Sequence, residues 1–168
     1  MPTEKGTLVY PGNQGATNWY NPSFSPATQL FYITTWENTA AVYRKREEPP
    51  QFQDGQSFMG TGPIRNPDTD DEVFGSIVAW DPRAGGRRWT FHMSAPSPEG
   101  GILTTASNLL FAGGRDGQFV ALDARDGTLA WETNLGPSVA AGPITYMVDG
   151  KQCISIQCGN SLYTFGLR

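Results

Sequence analysis

Histidine is nearly absent from this 168-residue chain, which has one, His92, and only two cysteines, Cys153 and Cys158. A Ser-His-Asp relay would depend on that one imidazole, and no His or second Cys pair completes a zinc set. The two cysteines are five positions apart, so on one extended strand they face opposite sides and bridge only if the strand ends or bulges between them. Two small buried apolar residues is the expectation. Positive charge is not in excess: 12 Lys and Arg stand against 16 Asp and Glu, with a pI near 4.9, which gives no footprint for a phosphate backbone. A glycine-rich phosphate loop with its lysine is missing as well. No apolar run approaches the ~20 residues of a membrane span. The opening Met1-Pro2-Thr3-Glu4-Lys5-Gly6 lacks the apolar core of a secretion signal, so any export signal is expected outside this chain.

What is abundant is turn formers and aromatics: 20 Gly, 13 Pro, 9 Phe, 6 Tyr and 5 Trp. That composition favours short strands joined by tight turns, an all-β class. The sequence also repeats. Ala79-Trp80-Asp81-Pro82-Arg83-Ala84-Gly85-Gly86-Arg87-Arg88-Trp89 and Ala121-Leu122-Asp123-Ala124-Arg125-Asp126-Gly127-Thr128-Leu129-Ala130-Trp131 both read A-x-D-x(3)-G-x(3)-W, at a spacing of 42 residues. Such a period suits a four-stranded propeller blade. In each copy the Asp carboxylate can accept turn N–H groups, and the Gly can take φ > 0 in the reversal. The Trp on the next strand can fill the seam between neighbouring sheets, so both Trp89 and Trp131 are expected to be buried.

Turn signals at Ser107-Asn108, Asp116-Gly117 and Asp126-Gly127 divide a complete meander into strands at 102–105, 109–112, 118–123 and 129–134. Upstream, strands at 29–35, 40–43, 76–81 and 88–92 form another, interrupted by a Pro-, Asp-, Glu- and Gly-rich insert at 44–73 that reads as a surface loop. Its acids, Asp54, Asp68, Asp70, Asp71 and Glu72, read as solvated loop charges. Downstream, 142–148, 151–157 and 162–166 give three strands. The expectation is a partial β-propeller of two complete four-stranded blades, at about 18–93 and 100–135, plus an incomplete third at 140–168 that residues 6–10 could complete. A closed ring needs roughly four to eight blades.

These residues carry a family resemblance. The repeated A-x-D-x(3)-G-x(3)-W resembles the tryptophan-docking motif of the eight-bladed quinoprotein alcohol dehydrogenases, which use pyrroloquinoline quinone (PQQ). Gly100-Gly101-Ile102-Leu103-Thr104-Thr105-Ala106, Leu109-Leu110-Phe111-Ala112-Gly113 and Asp116-Gly117 are similar to their last complete blade. Gly142-Pro143-Ile144-Thr145-Tyr146 with Gly150-Lys151-Gln152 is similar to the closing one. Gly12-Asn13-Gln14-Gly15-Ala16-Thr17-Asn18-Trp19, leading into Pro22-Ser23-Phe24-Ser25-Pro26, is similar to the segment that sets an Asn-Trp pair beside the cofactor.

The resemblance implies a C-terminal portion of such an enzyme, with PQQ contacts at Asn18, Trp19, Gly100, Gly101, Gly159 and Asn160. The planar amide of Asn18 suits the carboxylates and quinone oxygens of a flat anionic molecule. Gly100 and Gly101 would let backbone approach the quinone edge. Two positions depart from the pattern: Glu99 stands where tryptophan is common, and Gly159-Asn160 replaces a glycine-tryptophan pair. In the family, calcium acts as a Lewis acid on the quinone, an aspartate takes the alcohol proton and hydride passes to the quinone carbon. The calcium ligands, that aspartate, an adjacent-cysteine disulfide and a tryptophan floor belong to segments N-terminal to the matched part, and no residue here matches them.

The chain is thus expected to supply part of the cofactor pocket, with no catalytic or metal-ligating residue of its own and no activity alone. The parent family is periplasmic. A non-catalytic propeller-repeat module that binds protein or polymer is the alternative. In either case uncovered blade faces are expected to be buried by self-association or by a separate N-terminal propeller part.

Overall fold

In the computed structural model, residues 3–45, 51–56, 72–95 and 98–166 are described, and among them every regular element is a strand. The strands are β1 (Thr7–Val9), β2 (Ser23–Ser25), β3 (Leu30–Glu37), β4 (Ala41–Tyr43), β5 (Phe74–Asp81), β6 (Gly86–His92), β7 (Ile102–Thr104), β8 (Leu109–Gly113), β9 (Gln118–Asp123), β10 (Leu129–Asn134), β11 (Ile144–Val148), β12 (Lys151–Cys158) and β13 (Ser161–Gly166). They fall into two compact units. Met1–Ala16 with Asn38–Glu72 forms one, and Thr17–Glu37 with Val73–Arg168 the other.

The larger unit holds three consecutive antiparallel sheets, β2-β3-β5-β6, β7-β8-β9-β10 and β11-β12-β13. Alternation drives their stacking. Along β3 every second side chain is buried, and Leu30 and Tyr32 join Ile77 and Ala79 of β5 in a core shared with Ile102, Leu110, Val120 and Leu122 of the second sheet. The second sheet's other face, Phe111, Phe119 and Ala121, packs on Ile154, Ile156 and Cys158 of the third. Each fully buried Ile or Leu contributes about 1.5–3 kcal/mol to this stacking.

The repeat has a geometric counterpart. Ala79 pairs with Trp89 and Ala121 with Trp131, and in both hairpins the register slips one residue before the tryptophan, at Arg88 and at Ala130. Each small Ala thus stands opposite a large indole across the ladder. The bulge re-aims that indole out of regular alternation.

Three features differ from expectation. Neither tryptophan of the repeat is fully buried: Trp89 is partly buried against the core shared by the first two sheets, and Trp131 is 41% exposed, meeting Phe119 and Phe165 edge-on. The strand read at 40–43 is outside the first sheet: β4 pairs with β1, so the run read at 6–10 lies in the smaller unit and not on the edge of the third sheet. The first sheet is completed instead by β2, a Ser-Phe-Ser segment flanked by Pro22 and Pro26 that is too short to show alternation. Most of the insert read at 44–73, with Asp68, Asp70 and Asp71, lies outside the described residues.

Candidate functional site

In an antiparallel meander the first strand begins at the end where the second strand turns into the third. By that rule Asn18 and Trp19 before β2, Gly100 and Gly101 before β7, and Gly159 and Asn160 between β12 and β13 all lie at the same end of their respective sheets. This end is where the three first strands are laced together. Ile102 N donates to Asn21 O at 2.9 Å, Asn21 Nδ2 donates to Ile102 O at 3.1 Å, and Gly101 N donates to Ala141 O at 3.4 Å. One turn further in, Ser23 Oγ and Thr104 Oγ1 share a 2.7 Å hydrogen bond.

The lacing explains the glycines. A Cβ on Gly101 would stand 1.9 Å from Asn21 Oδ1, and one on Gly142 would stand 2.3 Å from the same atom. On Gly100 it would stand 2.6 Å from Gly113 O. These positions need glycine because neighbouring strands already fill the space. Gly159 sits at φ +56° in the β12–β13 turn and donates its N–H to Ser138 O at 3.2 Å, so turn geometry accounts for it, with Asn160 exposed beside it.

Asn18 and Trp19 are different. Asn18 Oδ1 accepts the Trp19 N–H at 2.9 Å, fixing the start of the loop, and the Trp19 indole is 77% exposed. It is propped from behind. Its ring centre is 4.6 Å from that of Tyr20, which meets Trp36 edge-on at 6.1 Å, and Trp36 Nε1 donates to Pro98 O at 3.3 Å. Burial pushes the Tyr20 hydroxyl pKa up, and the Glu99 charge adds to this while Arg115 opposes it. Glu99 and Arg115 form an ion pair at 3.1 Å. Glu99 therefore brings a guanidinium beside the aromatic ladder.

A flat anionic quinone needs an aromatic face and hydrogen-bond donors. The Trp19 indole could offer the first, and Asn18 with Arg115, whose side chain is 62% exposed, could offer donors. The residues present therefore fit one wall of a PQQ site. Among the described residues no three His, Cys, Asp or Glu side chains gather as a metal set. Sequence reading missed Tyr20, Asn21 and Arg115. Asn21 acts on a strand 81 residues away, which no local pattern reveals.

A family profile, PQQ_2, described as "Outer membrane protein assembly factor BamB", matches residues 73–165. The chain is 38% identical over 160 residues to the 1-butanol dehydrogenase (cytochrome c) of Thauera butanivorans, covering 91% of this chain and 23% of that protein. It superposes on the crystal structure of quinohemoprotein alcohol dehydrogenase from Comamonas testosteroni with a TM-score of 0.77 at 32% identity, over 92% of this chain and 24% of that one. Quinohemoprotein alcohol dehydrogenase ADHIIG from Pseudomonas putida HK5 gives a TM-score of 0.81 at 30% identity, over 94% and 24%. The chain spans about a quarter of the length of the relatives it matches.

Proposed function

The chain belongs to the PQQ_2 propeller-repeat family and is similar to one quarter of the quinoprotein alcohol dehydrogenases, and on that premise we propose that it forms one wall of the PQQ pocket in such an enzyme. The observation that carries this reading is the exposed, propped indole of Trp19 beside Asn18, at the end where the three first strands are laced. Trp19 would offer its face to the ring system, while Asn18 and Arg115 would orient carboxylates or quinone oxygens. Glu99 holds the Arg115 guanidinium in place. Gly100, Gly101, Gly159 and Asn160 would shape the rim through backbone. Bound PQQ would supply the two-electron acceptor for alcohol oxidation.

Calcium and the proton-accepting carboxylate would come from the remaining propeller part, so the chain alone is inactive. Its working compartment would be the periplasm. The propeller-repeat scaffold remains a second reading, favoured by one observation: the profile match at 73–165 excludes Asn18 and Trp19.

Reconstitution separates the two. The chain is co-expressed with the complementary part of the Thauera butanivorans relative, loaded with PQQ and calcium, and assayed for dye-linked oxidation of 1-butanol. Turnover that requires both polypeptides is expected. A stable assembly that retains no PQQ would overturn the dehydrogenase reading in favour of the scaffold.

A further inference from the structure

The aromatic ladder behind Trp19 ends on a joint. Trp36, near the end of β3, stands opposite Gly75 of β5 across the antiparallel ladder. Pro98 occupies the room left by the missing side chain: a Cβ on Gly75 would stand 2.1 Å from Pro98 Cδ and 2.7 Å from Ala95 O. Pro98 is fully buried and Trp36 is 6% exposed, and the Trp36 Nε1–H donates to the Pro98 carbonyl at 3.3 Å. Gly75 O accepts the Met93 N–H at 2.9 Å, so the start of the same connection is also tied to β5.

Two parts of the wall hang on this joint. On one side Trp36 meets Tyr20 edge-on at 6.1 Å, and Tyr20 carries the Trp19 ring at 4.6 Å. On the other side Pro98 leads directly into Glu99, ion-paired with Arg115 at 3.1 Å, and then into Gly100 and Gly101, whose N–H donates to Ala141 O at 3.4 Å. Exposed side chains change rotamer within picoseconds to nanoseconds, so the exposed Trp19 indole keeps one orientation only through what lies behind it. The exposed guanidinium of Arg115 points where its partner carboxylate holds it.

We propose that Trp36 is a positioning residue for this wall: through its ring it orients the Trp19 indole, and through its N–H it places the segment that carries Glu99 and so the Arg115 guanidinium. Buried itself, it acts through Tyr20 and Pro98. Its task is to fix the spacing between an aromatic face and a cationic donor, which a flat anionic molecule needs held to a fraction of an ångström. Gly75 belongs to the same device, since only glycine leaves Pro98 its place. Phenylalanine at position 36 keeps an edge for Tyr20 but leaves the buried Pro98 carbonyl without this donor. The inference rests on reading this end of the sheets as the PQQ side.

The test has two readouts. The heteronuclear NOE of the Trp19 indole N–H is measured by NMR in the full chain, isotope-labelled at its indole nitrogens, and PQQ retention is measured in the reconstituted assembly. W36F removes the donor, G75A drives a Cβ into Pro98 and breaks the same joint without altering a ring, and W89F, which changes the packing at Gly127, is the control. In the wild type Trp19 should be as ordered as the buried Trp36. W36F should lower the Trp19 NOE, and W36F and G75A should each lower PQQ retention several-fold, while W89F leaves both readouts at the wild-type level. A Trp19 indole already mobile in the wild type overturns the proposal, and so do equal values in W36F and W89F. Should neither joint variant fold, the wild-type NOE still decides. Loss of Trp19 order in W36F, with PQQ retained equally by wild type and W19A, removes the cofactor reading and leaves the positioning role. PQQ lost with W19A but kept with W36F and G75A removes the positioning role and leaves the cofactor reading.

Discussion

Trp89 lies flat across Gly127 and donates its indole N–H to Ala124 O at 3.2 Å, while the buried Tyr32 hydroxyl donates to the same carbonyl at 2.8 Å. Both lone pairs of that carbonyl are thereby used from the first sheet. The contact joins the outer strand of one sheet to the turn of the next, and it gives each letter of A-x-D-x(3)-G-x(3)-W a task. Ala makes room across the ladder, Asp ties the turn, Gly receives the neighbour's ring and Trp is received in turn.

Gly127→Ala and Gly85→Ala should therefore differ although both residues sit at positive φ. The left-handed backbone alone costs about 1–2 kcal/mol with a Cβ, and this is the whole effect expected at Gly85. At Gly127 the clash with the Trp89 ring adds about 1–3 kcal/mol. Chemical denaturation followed by circular dichroism measures both, and equal losses would contradict the seating.

Trp89→Phe removes ring area and the hydrogen bond to Ala124, with an expected loss of about 1–3 kcal/mol. Trp131→Phe should cost clearly less, because Trp131 is 41% exposed and makes edge contacts only. Thermal unfolding of the two variants tests the order.

Much of this was legible before any coordinates. The 42-residue spacing located the second sheet's strands to within a residue, since there the turn pairs Asp116-Gly117 and Asp126-Gly127 punctuate alternating apolar runs. Residues 41–43 carry as good a strand signal but pair with β1, because local pattern specifies a strand and not its partner. Gly100 and Gly101 were read as room for a cofactor. Asn21 and Gly113 fill the space that a Cβ would take at these positions, a constraint that only long-range contacts disclose.

Asn21 and Gly101 should behave as a coupled pair. Asn21→Ala removes the hydrogen bond to Ile102 O at an expected cost of about 1–3 kcal/mol. Gly101→Ala drives a Cβ into Asn21 Oδ1, so the double variant should lose less than the sum of the singles. Additive losses would show that the two residues do not meet.

The Asp123 carboxyl is held at about 2, below its ordinary 3.8, first by the Arg125 side-chain hydrogen bond and then by the Arg125 backbone N–H. A depressed folded-state value means that its stabilising contribution is fully present above the ordinary value and is lost as pH falls through about 2. A carboxyl-detected NMR titration should place the midpoint near the lower figure, and Arg125→Gln should raise it. A wild-type midpoint at 3.8 would contradict the pairing.

Trp19 decides the central claim. Its 77% exposure means that Trp19→Ala should leave thermal stability unchanged, so any effect on cofactor is direct. The measurement is the PQQ retained after gel filtration, read by absorbance, in assemblies reconstituted with wild-type chain and with W19A. The account predicts stoichiometric PQQ with the wild type and at least a several-fold loss with W19A at equal assembly. Equal retention in both would show that this end of the sheets does not line the PQQ pocket.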